Sequence, residues 1–177
     1  TIAQNGIEKL YTDGVEFLDQ DAAITCFIDA STKDNPLYSS DKRNLNTATN
    51  IRISATLWKY MKSKGDARLD FLGETATGKT PIPQGGFDLD ATTLPSNNVS
   101  VATLAPTDNV YFMSLPEIYF LQAEAIAMGW GTGNDKTMYD NGVVAAFARF
   151  GLSGSSYVAA GGAYEYPVAG TFEQKQE

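Results

Sequence analysis

The sequence predicts a mainly helical fold, made of tetratricopeptide-like helical hairpins with long irregular loops and few short strands. Three observations predict it. Apolar residues recur at three- and four-residue steps in several segments, which is the spacing of one helix face. Two of these segments are joined by a short link, residues 131–134, as in a helical hairpin. Residues 73–109 hold eight glycines and prolines, too many for a long helix or strand.

Composition and charge exclude several classes of protein. The chain has 177 residues, of which 43% are apolar, as in ordinary water-soluble domains. Thirteen Lys and Arg against 21 Asp and Glu give a net charge of −8, which argues against a nucleic-acid surface. The lack of histidine excludes Ser-His-Asp and Cys-His catalysis and histidine-based zinc sites. We therefore expect no enzyme activity of these types, no cofactor and no metal.

The length predicts a single domain over residues 1–177. Within it we expect helices and long loops over 1–110, a helical hairpin over 111–152, and a loop with the start of a truncated helix over 153–177. One helix is predicted at the start, from an apolar stripe at Ile7, Leu10, Tyr11, Val15 and Leu18. Another is predicted from Ile51 to Lys64, where Gly65 stops it.

The predicted hairpin begins at Ser114, which can form a capping box with Glu117. The run 118–130 is apolar on nearly every side, so we expect this helix to be packed on several faces. Glu124 is then expected to be buried and paired with Arg149 or Arg68. The second helix is predicted to start at Asp135 as its N-cap and to bury Tyr139, Val143, Phe147 and Phe150.

Two sequence features that could suggest catalysis, a Walker-like segment and a single cysteine, are expected to have no catalytic role. Residues 73–80 match the Walker A pattern, but Pro81 and Pro83 prevent the helix that a phosphate loop needs, so we expect a loop that binds no nucleotide. The lone Cys26 lies in an apolar run and is expected to be a small buried side chain.

Aromatic residues in the irregular segments are the candidate ligand-binding residues. Sugars stack their C–H faces on aromatic rings, and loops on a rigid helical base commonly carry binding residues. Tyr38 and Phe87 are the first choices for a ligand-binding site, because each lies among turn formers. Other loop aromatics that could face a ligand are Tyr157, Tyr164 and Tyr166. Trp58 and Trp130, at helix positions, are expected to pack against neighbours.

Four segments, taken in order, resemble the RagB/SusD family of bacterial outer-membrane lipoproteins, especially its SusD-like branch. Residues 34–38 are similar to the family's Asn-Pro-Leu-Tyr turn. Residues 54–69 resemble its Ser-x-x-Leu helix followed by Asp-Pro-Arg-Leu, with Ala67 in place of proline. Residues 81–85 are similar to its Gly-Ile-Pro-x-Gly loop, and 112–125 to its most recognisable helix.

The resemblance implies a helical protein that lies on the surface of the outer membrane and captures oligosaccharides without catalysis. Its partner would be a SusC-like TonB-dependent transporter, to which the glycan is delivered. The sequence departs from the family pattern in two ways. The family's lipid-anchoring cysteine is missing, and relatives continue beyond the position of Glu177. The membrane would then be reached only through an anchor outside this chain, which we expect to be a fragment of a protein two to three times longer.

Other functions stay open at this stage. Some branches of the same family capture peptides. Independently of the resemblance, a helical hairpin could serve as a protein-interaction adaptor, and paired carboxylates could serve a glycoside hydrolase.

Overall fold

The computed structural model describes residues 1–45, 50–73, 79–85, 98–167 and 169–171. Within these ranges the α-helices are α1 (Ile2–Thr12), α2 (Pro36–Tyr38), α3 (Ala55–Ser63), α4 (Leu69–Leu72), α5 (Leu115–Ala127), α6 (Asp135–Ala148) and α7 (Ser155–Val158). A π-helical turn, Ser39–Asn44, continues α2, and strands β1 (Ala22–Ile24) and β2 (Val110–Met113) pair in a two-stranded sheet. The prediction of a mainly helical fold with few short strands is confirmed.

The chain divides into two compact units. Unit 1 comprises Thr1–Ala23 and Tyr111–Glu177, and unit 2 comprises Ile24–Val110. The single domain expected from the length stays a prediction.

Helix α1 of unit 1 is shorter than its apolar stripe predicts. Thr1 caps its start by accepting a hydrogen bond from the backbone N–H of Gln4 at 3.2 Å. Gly14 adopts a φ of +66°, which ends the helical path just after Thr12. Val15 and Leu18 therefore lie outside the helix and are exposed. The helical spacing of apolar residues continues to Leu18, but the helix itself does not pass Gly14.

Helix α5 begins where the sequence predicts. The capping box of Ser114 and Glu117 forms, with the backbone N–H of Ser114 donating to Glu117 Oε2 at 3.4 Å. A second acceptor that the sequence did not reveal is Asp21, whose Oδ1 accepts from the backbone N–H of Leu115 at 2.7 Å. Two of the N–H groups at this helix start are therefore satisfied by carboxylates, which also suit the positive end of the helix dipole.

Helices α5 and α6 form the predicted hairpin, whose core includes Ala123, Val143 and Phe147. The N-cap of α6 is Asn134, which accepts from the backbone N–H of Thr137 at 2.8 Å, rather than Asp135. Helix α5 buries Pro116, Ala123 and Ala125 and leaves Phe120 and Leu121 exposed.

Glu124 lies on the exposed part of α5, so its predicted burial is wrong. The two arginines predicted as its partners make other contacts as well, since Arg149 lies over the Tyr111 ring and Arg68 pairs with Asp66.

Unit 2 has a small core of its own, formed by Ile53, Met61, Leu69, Val99 and Val101. Isolated bridges join its extended segments, including Ser54 with Ile82 and Thr80 with Val99. The helix predicted from residue 51 begins at Ala55, because the preceding residues make these bridges. Cys26 is exposed, which contradicts the expectation of burial. It lies two residues after the end of β1.

Candidate ligand-binding site

Tyr38 lies in a turn that is held at both ends by hydrogen bonds within unit 2. The buried Asn35 caps α2, and its Oδ1 accepts from the backbone N–H groups of Leu37 at 2.8 Å and Tyr38 at 3.1 Å. Asn35 also donates through Nδ2 to the carbonyl of Asp108 at 2.9 Å, and through its backbone N–H to that of Pro106 at 2.7 Å. The position of the Tyr38 backbone is therefore fixed by a second loop.

The Tyr38 ring is positioned by an arginine. The guanidinium carbon of Arg43 lies 5.3 Å from the ring centroid, within the range of a cation–π contact. Arg43 is itself anchored by a short hydrogen bond to the buried Asp34 and a bond of 2.7 Å to Asp29. The hydrogen bond to Asp34 raises the pKa of the Arg43 guanidinium above its ordinary value. The ring is partly exposed on a support of ion pairs, as suits an aromatic contact for a ligand.

The second predicted binding residue, Phe87, lies outside the described residues, as do residues 74–78 of the Walker-like segment. The prediction of a loop over the whole segment therefore falls mostly outside the described residues, and only its end can be compared. Lys79 and Thr80 lead into no helix, and Thr80 and Ile82 instead form bridges with Val99 and Ser54. The helix N-terminus that would hold a nucleotide phosphate does not follow Thr80.

The loop aromatics of unit 1 pack against one another and against α6. Tyr166 is 4% exposed, and its hydroxyl donates to Asp135 Oδ2 at 2.7 Å. Its ring contacts that of Tyr139, with centroids 5.0 Å apart. Tyr157 packs on the buried Phe147, at 4.2 Å between ring centroids, and against Tyr164. These rings belong to the packing of α6 and the segment after it.

Trp58 lines a cleft in unit 2, a role the sequence analysis did not foresee. The cleft has a volume of about 440 Å³ and lies where α3 ends, Gly65 turns the chain and α4 begins. Its lining residues are Trp58, Lys62, Gly65, Asp66, Ala67, Leu69 and Asp70. The spacing of Trp58 and Lys62, one helical turn apart before a glycine, is the signal that could have found it.

A second cavity, of about 520 Å³, lies in unit 1 and is mostly apolar. Its walls come from α1 and α5 and include Ile7, Leu10, Tyr11, Ile118, Leu121 and Trp130. The Tyr11 hydroxyl is buried without a hydrogen-bond partner in the described part of the chain, and burial raises its pKa. Across the same described part, no group of carboxylates and cysteine could hold a metal ion, and no helix is long and apolar enough to cross a membrane.

Comparison with solved structures shows the same helical fold in larger proteins. A SusD homologue from Bacteroides thetaiotaomicron is similar with a TM-score of 0.66 and 21% identity, over 95% of this chain and 34% of that one. A chitin-binding SusD homologue from Flavobacterium johnsoniae is similar with a TM-score of 0.65 and 22% identity, over 94% of this chain and 33% of that one. The chain thus spans about a third of the length of these structures.

The sequence itself matches a family model. No curated protein matches the sequence. The SusD-like family model, described as starch-binding associating with outer membrane, matches residues 3–174. Nearly the whole chain is covered, which confirms the resemblance drawn from its motifs. The chain belongs to the SusD-like family.

Proposed function

We propose that this chain is part of a non-catalytic protein that captures oligosaccharides at the cell surface and delivers them to a TonB-dependent outer-membrane transporter. The family description, which names starch binding and association with the outer membrane, supports the proposal. So does the chitin-binding homologue with the same fold. A lipid anchor would hold the protein to the membrane, and a SusC-like transporter would be its partner.

The observation that carries the proposal is the geometry of Tyr38. Its ring is partly exposed, while Asn35 fixes its backbone and Arg43 fixes its ring. A preorganised ring loses little freedom when a sugar stacks on it, so the contact contributes to affinity. The Arg43 guanidinium lies over the ring and is bonded to Asp29, and sugar hydroxyls could form hydrogen bonds with these polar groups. Phe87 is proposed as a second aromatic contact of this site.

The test is calorimetry of the protein with a panel of neutral oligosaccharides. We expect binding, and we expect Tyr38→Ala to weaken it roughly 2- to 12-fold, the value of one aromatic contact. Phe87→Ala should have an effect of the same size. The matched control is Tyr111→Ala, because Tyr111 is also a partly exposed ring beneath an arginine, with Arg149 at 3.8 Å, but it lies in β2 of unit 1. That variant should bind like the parent.

Other outcomes would contradict the proposal in different ways. Release of reducing ends during the titration would indicate a glycoside hydrolase. Binding of peptides but of no glycan would place the chain among peptide-binding members of the family. Binding of neither, with a stable complex to another protein, would favour an adaptor.

A further inference from the structure

We propose that the Trp58 cleft is a second glycan subsite, which takes one neutral sugar ring on the indole face now covered by Lys62. The inference rests on the proposed function and deepens it. It assigns a role to a cleft that is separate from the Tyr38 turn and that neither the family description nor the motifs point to.

The cleft is built on a rigid floor. The Asp66 side chain is 0% exposed and accepts hydrogen bonds from Arg68 Nε at 3.0 Å and Nη2 at 2.6 Å. Its Oδ1 also accepts from the backbone N–H of Arg68 at 2.9 Å, which fixes the turn between α3 and α4. Gly65 has a φ of +60°, a conformation that lets the chain reverse at this point. The shape of the cleft is therefore set before any ligand arrives.

The charges of the cleft favour a neutral ligand. Asp66 and Arg68 neutralise each other in a bidentate pair. The two exposed charged side chains of the lining, Lys62 and Asp70, have opposite signs. A negatively charged uronic acid would be repelled by Asp70 as well as attracted by Lys62. A cationic peptide would be attracted by Asp70 and repelled by Lys62. Sugar hydroxyls can donate to the Asp70 carboxylate without bringing a charge of their own, so a neutral sugar meets no like charge in the cleft.

Trp58 supplies the stacking surface and a hydrogen-bond donor. Its Nε1 is buried and has no acceptor within the described ranges, and a buried donor without a partner is unusual in native proteins. The proposal therefore requires that movement of Lys62 off the indole opens a path to Nε1, where a sugar oxygen would supply that acceptor. The volume of about 440 Å³ falls within the range of small-ligand sites.

Lys62 must leave the ring when the sugar stacks. Its Nζ lies 4.2 Å from the centre of the Trp58 ring, so the ammonium and the C–H face of a sugar compete for the same surface. The Lys62 side chain is exposed and flexible, and it can swing aside without disturbing the helix. We expect Lys62→Ala to uncover the indole and tighten glycan binding several-fold.

The decisive experiment is a ¹H–¹⁵N titration of the 177-residue chain with the oligosaccharides of the calorimetric panel. The chain has two tryptophans, so the spectrum contains two indole N–H signals, and Trp58→Phe assigns them. We expect the Trp58 signal to shift with saturation while the Trp130 signal stays in place. The variant serves only to assign the signals, and the titration itself is read on the parent chain.

Affinity measurements complete the test. Trp58→Ala should weaken binding roughly 2- to 12-fold. The matched control is Tyr60→Ala, because Tyr60 is an exposed ring on the same helix with its own lysine, Lys64, at 5.9 Å, but it does not line the cleft. Lys64→Ala is the corresponding control for Lys62→Ala, and both controls should bind like the parent.

The outcomes separate the two proposals. Glycan binding with an unmoved Trp58 signal would overturn the subsite and leave the proposed function standing. Weaker binding by Lys62→Ala would show that sugars do not use the covered ring face. No shift of any signal with any glycan would overturn the proposed function and the subsite together.

Discussion

Buried ionised side chains in this protein are paired at short range. Asp66 illustrates the rule, because its carboxylate has no exposed surface and is bonded to Arg68 through both oxygens. Asp34 is similar, with Arg43 as its partner. Breaking such a pair leaves one charge in a medium that solvates it poorly, which is far costlier than losing a surface pair.

We therefore expect Asp66→Asn to lower the free energy of unfolding by about 3 kcal/mol. The amide cannot balance the Arg68 charge, and it accepts through only one oxygen. Chemical denaturation of the variant and the parent measures the difference. Asp70→Asn, at an exposed position of the same cleft, should change stability by less than about 1 kcal/mol, and equal losses in the two variants would contradict this account.

Tyr166 predicts a dependence of stability on alkaline pH. Burial, followed by the hydrogen bond to Asp135, raises the pKa of the Tyr166 phenol above its ordinary value of about 10. A group whose pKa is raised on folding contributes its full stabilisation below the unfolded pKa, and loses it as the pH rises towards the folded pKa. The native state therefore loses stability above about pH 10 as the unfolded phenol ionises.

Thermal melts of the parent and Tyr166→Phe across that range test this. At neutral pH the variant should melt lower, because it lacks the bond to Asp135, worth about 1 kcal/mol. The difference in melting temperature between the parent and the variant should become smaller as the pH rises above about 10, since only the parent loses the Tyr166 contribution. A gap that stays constant with pH would contradict the raised pKa.

Single residues were the hardest to place from sequence. Glu124 and Cys26 were expected to be buried from their apolar neighbours in the chain, yet both are exposed. Tyr166 was expected to lie in a loop where it could face a ligand, but it is buried against α6. In each case burial depends on which elements pack over the residue, and that packing joins segments far apart in sequence.

At the level of elements, the local signals were the reliable ones. Ser114 and Glu117 predicted the start of α5, because a capping box satisfies backbone groups within four residues. Asn35 set the turn before Tyr38 for the same kind of local reason. No sequence pattern could indicate that Asp21 also caps α5, because it lies more than ninety residues from Leu115 in the chain.

Glycines at two places in unit 1 predict opposite effects of the same substitution. Gly6 lies inside α1 with no atom within 4 Å of an added Cβ, so Gly6→Ala should stabilise by about 1 kcal/mol through helix propensity. At Gly154 an added Cβ would lie 2.9 Å from the Cα of Val144 and 3.3 Å from Phe147 Cβ. Backbone cannot give way as a flexible side chain does, so Gly154→Ala should destabilise by about 1 to 3 kcal/mol.

Denaturant midpoints of these two variants measure the contrast. Equal slopes would show that the extent of unfolding is unchanged, so that the midpoints report stability alone. A stabilised Gly154→Ala variant would mean that α7 does not pack as closely on α6 as the structure shows.

On the scale of the whole molecule, the sequence predicted the fold class and one of the two aromatic sites that we propose. The Tyr38 turn could be found because turn-forming residues surround it. The Trp58 cleft could not, because its walls come from two short helices that meet at Gly65, and a tryptophan on a helix is ordinarily part of a core. Aromatic residues acquire a binding role only when the tertiary structure leaves them beside a cleft.

The net charge of −8 makes the class of ligand testable by salt. An acidic protein attracts cationic peptides over long range, and this attraction is screened when the Debye length falls from about 10 Å at 0.1 M salt to about 3 Å at 1 M. Stacking and hydrogen bonding to a neutral sugar act at contact distance and are not screened by salt. We therefore expect the Kd for the tightest oligosaccharide to change by less than roughly twofold across that range of NaCl. A tenfold loss of affinity would show that charge, rather than the aromatic surfaces at Tyr38 and Trp58, drives capture.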